Sequence, residues 1–124
     1  SRKTSDEMLG MLESVVKDGT AEYAKVNGYR IAGKTGTSKK LGLDGRYERN
    51  YIGSFVGIAP VSNPKFVIAV MIDAPSNGSY YGGTVAGPVF STLMAEALKI
   101  YSIPQDGFVD ADKQKRETKS DSII

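Results

Sequence analysis

The sequence contains no cysteine and no histidine among its 124 residues. Without cysteine there is no disulfide framework and no thiol nucleophile, and cysteine usage reports nothing about the redox compartment. Without histidine, the usual imidazole base and the commonest metal ligand are missing. Acyl-transfer or hydrolytic chemistry is then left to serine, lysine, tyrosine, a carboxylate or backbone N–H groups, and neither a metal nor a cofactor is expected. An excess of one charge is lacking too, since 16 basic residues face 14 acidic ones for a net charge of +2. No basic stripe of the kind that grips a polyphosphate backbone emerges, so no nucleic-acid partner is expected. No apolar run reaches the roughly 18–20 residues that span a bilayer. The first residues, Ser1-Arg2-Lys3-Thr4-Ser5-Asp6, run directly into a helix. That leaves either a soluble intracellular protein or one whose targeting segments lie outside these residues.

What is present, 40% hydrophobic and 24% charged residues, suits one soluble globular domain. Thr4-Ser5-Asp6-Glu7 fits a capping box with Thr4 as N-cap. Met8, Leu12 and Val15, flanked by Leu9, Met11 and Val16, then keep helical spacing and predict a helix over 5–17, ended by Asp18-Gly19. Asn27-Gly28 reads as a turn. Strands are predicted over 29–37, 51–59 and 66–73, the last two rich in β-branched and aromatic residues and joined through Ser62-Asn63-Pro64. Residues 38–50 read as a long charged link in which Lys39, Lys40, Arg46 and Arg49 face solvent, and Asp73 as a strand end. Residues 74–86 read as a Gly/Ser/Tyr/Pro loop, and Pro88 opens a second helix on which Val89, Leu93, Ala97 and Ile100, with Phe90, Met94 and Leu98 beside them, give a broad apolar face. The order helix, three antiparallel strands, helix is an α+β pattern, with helices from both ends covering the sheet. Three strands make a thin domain, so further strands from elsewhere are expected. Residues 1–104 are taken as the folded unit and 105–124 as a mobile C-terminal tail.

One segment stands out, Gly33-Lys34-Thr35-Gly36-Thr37-Ser38. It places a lysine at a strand end among residues with almost no bulk, where Gly33 and Gly36 let a ligand or another backbone come close. Lys34 offers a cation, Thr35 and Thr37 offer hydroxyls, and a strand edge offers N–H groups. The set suits a carboxylate and a carbonyl held along the strand. The alternative is a Gly-rich strand end with a solvated lysine and locally bonded hydroxyls. Gly28-Tyr29-Arg30-Ile31-Ala32-Gly33-Lys34-Thr35 also matches a phosphate-loop pattern in letters. Its loop positions are strand-like, no apolar strand precedes Gly28, and no helix follows Thr35, so the context argues against that use.

Lys-Thr-Gly is a signature of penicillin-binding proteins and β-lactamases. Further blocks extend the likeness: Gly28-Tyr29-Arg30-Ile31-Ala32, Asp44-Gly45-Arg46-Tyr47, Gly57-Ile58-Ala59-Pro60, and Tyr80-Tyr81-Gly82-Gly83 through Pro88-Val89-Phe90. Over roughly residues 5–108 the chain resembles the division-specific class B penicillin-binding proteins, which are peptidoglycan D,D-transpeptidases. The resemblance implies a partial penicillin-binding/β-lactamase-like transpeptidase fold, with these three strands part of a larger five-stranded sheet. In that family the acyl-enzyme forms on the serine of an S-x-x-K motif, assisted by its lysine and an S-x-N motif. Carried over, Lys34 supplies positive potential and hydrogen bonds at the active site, and Thr35 and Thr37 bind the substrate or β-lactam carboxylate beside Gly36. The Thr37 backbone N–H becomes an oxyanion donor. Tyr81 lines the cleft rim, unless the Tyr80-Tyr81 pair simply packs on the final helix.

The family pattern breaks at the nucleophile. Ser14-Val15-Val16-Lys17 and Ser62-Asn63-Pro64-Lys65 match S-x-x-K in letters. Ser14 lies near a helix C-terminus, where the dipole opposes a developing alkoxide, and Ser62 lies in a turn. S-x-N is absent. The expected chain is therefore the C-terminal part of a transpeptidase domain, inactive alone, whose partner is the upstream part carrying S-x-x-K and S-x-N. The resemblance further implies a peptidoglycan stem-peptide substrate, inhibition by β-lactam antibiotics, division-protein partners, and a periplasmic domain anchored once in the bacterial inner membrane. Another penicillin-recognising serine hydrolase (a carboxypeptidase or β-lactamase) and a non-enzymatic basic module using the 39–49 segment on a polyanion remain the alternatives.

Overall fold

A computed structural model describes residues 1–76 and 78–107. The first helix, α1, spans Arg2–Asp18. It starts earlier than the spacing predicts because Ser1, not Thr4, is the N-cap: Ser1 Oγ accepts the Thr4 backbone N–H at 3.3 Å and lies 3.0 Å from Thr4 Oγ1. Two capping residues stand one turn apart, and the upstream one adds a turn. Beyond α1 the chain reverses through a 3-10 turn at Glu22–Ala24. Gly28 then turns it again with φ +81, a backbone that L side chains rarely adopt.

Three strands follow, β1 (Ala32–Leu41), β2 (Tyr47–Ala59) and β3 (Phe66–Asp73), antiparallel in the order β1-β2-β3. The β3 bounds coincide with its predicted run. β1 begins three residues later than predicted. Tyr29 and Arg30 instead bond to the C-terminal segment: the Tyr29 hydroxyl donates to the Ile103 carbonyl, and Arg30 N–H donates to Asp106 Oδ1 at 2.7 Å. The charged 38–50 link is mostly strand, because β1 and β2 run on as a hairpin to a turn at 42–46. That turn closes through Gly42 N–H to the Arg46 carbonyl at 2.8 Å, and Asp44 Oδ1 accepts the Arg46 N–H at 3.1 Å. Both faces of this arm meet solvent, so it carries no apolar alternation to signal a strand.

The core lies on one face of the sheet. Phe55, Gly57 and Ala59 of β2 share that face with Phe66, Ile68 and Val70 of β3, as the register Phe55↔Val70 and Ala59↔Phe66 requires. Two further helices follow: α2 (Gly82–Val85), four residues inside the predicted loop, and α3 (Gly87–Ile100), with Pro88 in its first turn as predicted. Phe90, Met94 and Leu98 of α3 are fully buried against the sheet. The Phe55 and Phe90 rings meet edge-on at 4.7 Å, and the Phe90 ring fills the space a Cβ on Gly57 would need. On the opposite face Val56, Val67 and Met71 remain 45%, 67% and 74% exposed. Large apolar side chains bared together on a sheet face mark a surface that something else covers.

Asp106 ties the end of the described chain to the sheet. Its carboxylate accepts Arg30 N–H through one oxygen and Ser62 N–H, at 3.1 Å, through the other, while Gly107 N–H donates to the Gly28 carbonyl. Of the tail read from the sequence, 105–107 dock here, and 108–124 lie outside the described residues.

Candidate active site

Among the described residues β1 is paired on one side only, and its open edge carries the Gly33–Thr37 segment. Alternation puts Gly33, Thr35 and Thr37 on the helix-covered face and Lys34, Gly36 and Ser38 on the other. Gly33 must lack a side chain because a Cβ would strike the Phe55 ring and, at 2.7 Å, the Val56 carbonyl. Gly36 leaves room for Ser54, whose hydroxyl donates to the Gly36 carbonyl at 3.3 Å.

The backbone polarity of the edge can be read from two contacts. In an antiparallel ladder a residue turns its N–H and C=O to the same side. The Gly36 carbonyl meets Ser54 of β2, whereas the Thr35 carbonyl accepts from Lys34 Nζ at 3.1 Å. Thr35 therefore faces the open edge, and so does Thr37 two residues on. Both present N–H groups there.

The side chains converge on the same edge. Lys34 starts on the opposite face, yet its ammonium curls over to lie 3.5 Å from Thr35 Oγ1. Thr35 Oγ1 also lies 3.3 Å from Thr20 Oγ1, which α1 delivers just past its end. Thr37 Oγ1 accepts the Gly82 N–H at 3.1 Å from the start of α2. An N–H can only donate, so the Thr37 proton is left to donate elsewhere. One ammonium, two hydroxyls and outward N–H groups form an array of donors, suited to an anion and to a carbonyl gaining negative charge. Among the described residues no group of three or more Asp or Glu could hold a metal ion.

The predicted residues Lys34, Thr35, Gly36 and Thr37 thus stand together. Tyr81 is 60% exposed beside Tyr80, ring centroids 4.7 Å apart, and Tyr80 stacks on Tyr51 of β2 at 3.9 Å with planes 12° apart. The pair therefore continues the sheet end at a strand tyrosine, next to Gly82. A hydrogen bond and charge interaction with Tyr80 raise the Tyr81 pKa above its ordinary 10.0, so the Tyr81 hydroxyl keeps its proton at physiological pH. Thr20 has no part in the sequence reading, and Tyr51 and Gly82 enter it only as members of a predicted strand and of a sequence block, with no role at the site. Tyr51 shares its face with Thr37 by alternation, a signal available in the letters; Thr20 and Gly82 arrive only through tertiary folding.

The other candidates sit apart in role. Ser14 donates its hydroxyl to the Gly10 carbonyl along α1, and Ser62 N–H is held by Asp106. Lys40 pairs with Asp73 at 3.0 Å on the exposed hairpin, a contact that contributes little in water. Among the described residues no helix is long and apolar enough to cross a membrane.

Residues 1–95 match the family described as penicillin binding protein transpeptidase domain. The peptidoglycan D,D-transpeptidase FtsI of Escherichia coli strain K12 is 45% identical over 109 residues, covering 87% of this chain and 18% of that protein. The stage V sporulation protein D of Bacillus subtilis is 40% identical over 122 residues, covering 97% of this chain and 19% of its own length. Among solved structures, the apo transpeptidase domain of Burkholderia pseudomallei penicillin-binding protein 3 superposes with a TM-score of 0.76 at 44% identity, covering 86% of this chain and 32% of that one. The chain spans about a fifth of the curated relatives it matches, 18% and 19% of these two.

Proposed function

Because the chain belongs to the penicillin-binding protein transpeptidase family, we propose that it forms the Lys-Thr-Gly wall of a peptidoglycan D,D-transpeptidase whose serine nucleophile lies elsewhere in the protein. The serine Oγ attacks the carbonyl of the penultimate D-Ala of a stem peptide. An ester forms, the amide C–N bond breaks, and the terminal D-Ala leaves with a proton. An amine of a second stem peptide then takes the acyl group. A β-lactam enters by the same attack and stays bound as the ester.

The single observation that carries this reading is the donor array at the open edge of β1. In it the Thr35 and Thr37 hydroxyls hold the substrate carboxylate, and the Lys34 ammonium supplies positive potential and hydrogen bonds. Gly36 allows close approach, and the Thr37 N–H faces the carbonyl oxygen as it becomes an oxyanion, with the nucleophile's own N–H as second donor. Tyr81 lines the rim. The bare Val56-Val67-Met71 face and the unpaired sheet edges fit a segment that packs against the rest of a larger domain. The whole protein is read as anchored once in the bacterial inner membrane, its catalytic domain periplasmic, cross-linking septal peptidoglycan alongside other division proteins.

A fluorescent penicillin tests the reading directly. The 124 residues alone are expected to take no label. A polypeptide that includes the upstream transpeptidase portion is expected to label covalently, at a serine outside these residues. Labelling of the isolated chain at Ser14 or Ser62 would overturn the assignment.

A further inference from the structure

The Thr35 hydroxyl has one proton and two lone pairs, and what surrounds it decides which of these faces a ligand. Lys34 Nζ, 3.5 Å away, has only protons to give. Thr20 Oγ1, 3.3 Å away, can give or accept. If Thr20 donates, both lone pairs of Thr35 are engaged and its proton points out along the open edge. Thr37 stands in that polarity already, because Gly82 N–H occupies a lone pair of its hydroxyl. Residues two apart on a strand lie roughly 6.5–7 Å apart, close enough for both hydroxyls to address one small anionic ligand.

Thr20 is well held for this task. The Val15 carbonyl accepts the N–H of the next residue, Ala21, at 3.2 Å, and the Thr20 carbonyl fills the space a Cβ on Gly83 would need. Its hydroxyl thus reaches Thr35 from a backbone fixed between α1 and α2.

We propose that Thr20 is a positioning residue for anion recognition: its hydroxyl donates to Thr35 Oγ1 and so turns the Thr35 proton toward the carboxylate of the ligand. The proposal rests on the transpeptidase reading above. It assigns Thr20 no contact with the reacting atoms. Its effect should therefore follow the charge of the ligand's carboxyl group rather than acylation in general.

The test uses the complete transpeptidase and compares acylation rates by benzylpenicillin and by its uncharged methyl ester. Thr20→Val keeps the shape and removes the hydroxyl. It is expected to lower the acid-to-ester rate ratio about tenfold, the scale of one hydrogen bond to a charged group. Thr20→Ser keeps the hydroxyl and is expected to hold the ratio within about twofold of the parent. An unchanged ratio in Thr20→Val overturns the proposal, as does an equal fall for acid and ester, or a Thr20→Ser variant as impaired as the valine. A parent protein that neither compound acylates overturns the transpeptidase reading and this inference with it.

Discussion

Lys34→Ala is expected to lower the acylation rate of the complete transpeptidase by about 10²–10³-fold while leaving its melting temperature unchanged. The two halves of this expectation have separate grounds. Lys34 is exposed, and surface substitutions away from structural features usually stay within about 0.5 kcal/mol. On the proposed function, the ammonium nevertheless sits where the chemistry needs charge. It donates to the Thr35 carbonyl at 3.1 Å and lies 3.5 Å from the Thr35 hydroxyl, at the edge where Thr35 and Thr37 present their N–H groups. Removing one preorganised donor from a site that stabilises an oxyanion costs about 3–4 kcal/mol, which sets the stated loss. Lys34→Arg is not a full substitute, because a planar guanidinium cannot place a single point charge in the same spot. Labelling kinetics with a fluorescent penicillin, read alongside a thermal melt, decide the matter. A loss below tenfold removes Lys34 from the catalytic machinery. A collapse of the melt turns the effect into one of folding.

The placement of the candidate site was more legible in the sequence than the frame that holds it. Lys34, Thr35, Gly36 and Thr37 are contiguous, so a strand and a motif suffice to bring them together. Phe66–Asp73 was legible because an unbroken β-branched and aromatic run has few other uses, and α3 because Pro88 and an apolar face mark it. The strand extensions between 38 and 50 were hidden, since an arm wet on both faces needs no alternation. α2 was hidden for a different reason. Gly82-Gly83-Thr84-Val85 has poor intrinsic helix propensity, and its turn is held by backbone bonds to Tyr81 and by the Gly82 contact to Thr37. Thr20 was invisible because 15 residues separate it from Thr35, and no local pattern announces a contact across that span.

Two glycine-to-alanine substitutions are expected to act with opposite signs, and the contrast isolates what α2 does for the site. Gly10 lies inside α1, and a Cβ there meets nothing within 4 Å. Gly10→Ala should stabilise the fold by about 0.5–1 kcal/mol, the ordinary gain from replacing glycine in a helix interior. At Gly82 a Cβ would overlap the carbonyls of Ser54 and Gly36 and approach Ser54 N to 2.9 Å. These are backbone atoms of two paired strands, so the sheet cannot give way as a flexible side chain would. The start of α2 must lift instead, at a cost of about 1–3 kcal/mol typical of overpacking. Lifting it withdraws the Gly82 N–H from Thr37 Oγ1 and loosens the Tyr80 stack on Tyr51. The Thr37 hydroxyl then regains a lone pair to turn toward an incoming carboxylate, and anion binding weakens. Gly82→Ala should therefore lower both the denaturation midpoint and the rate of penicillin acylation measured well below that midpoint. A variant that melts early yet acylates at the parental rate would show that α2 supports the sheet without setting the polarity of Thr37.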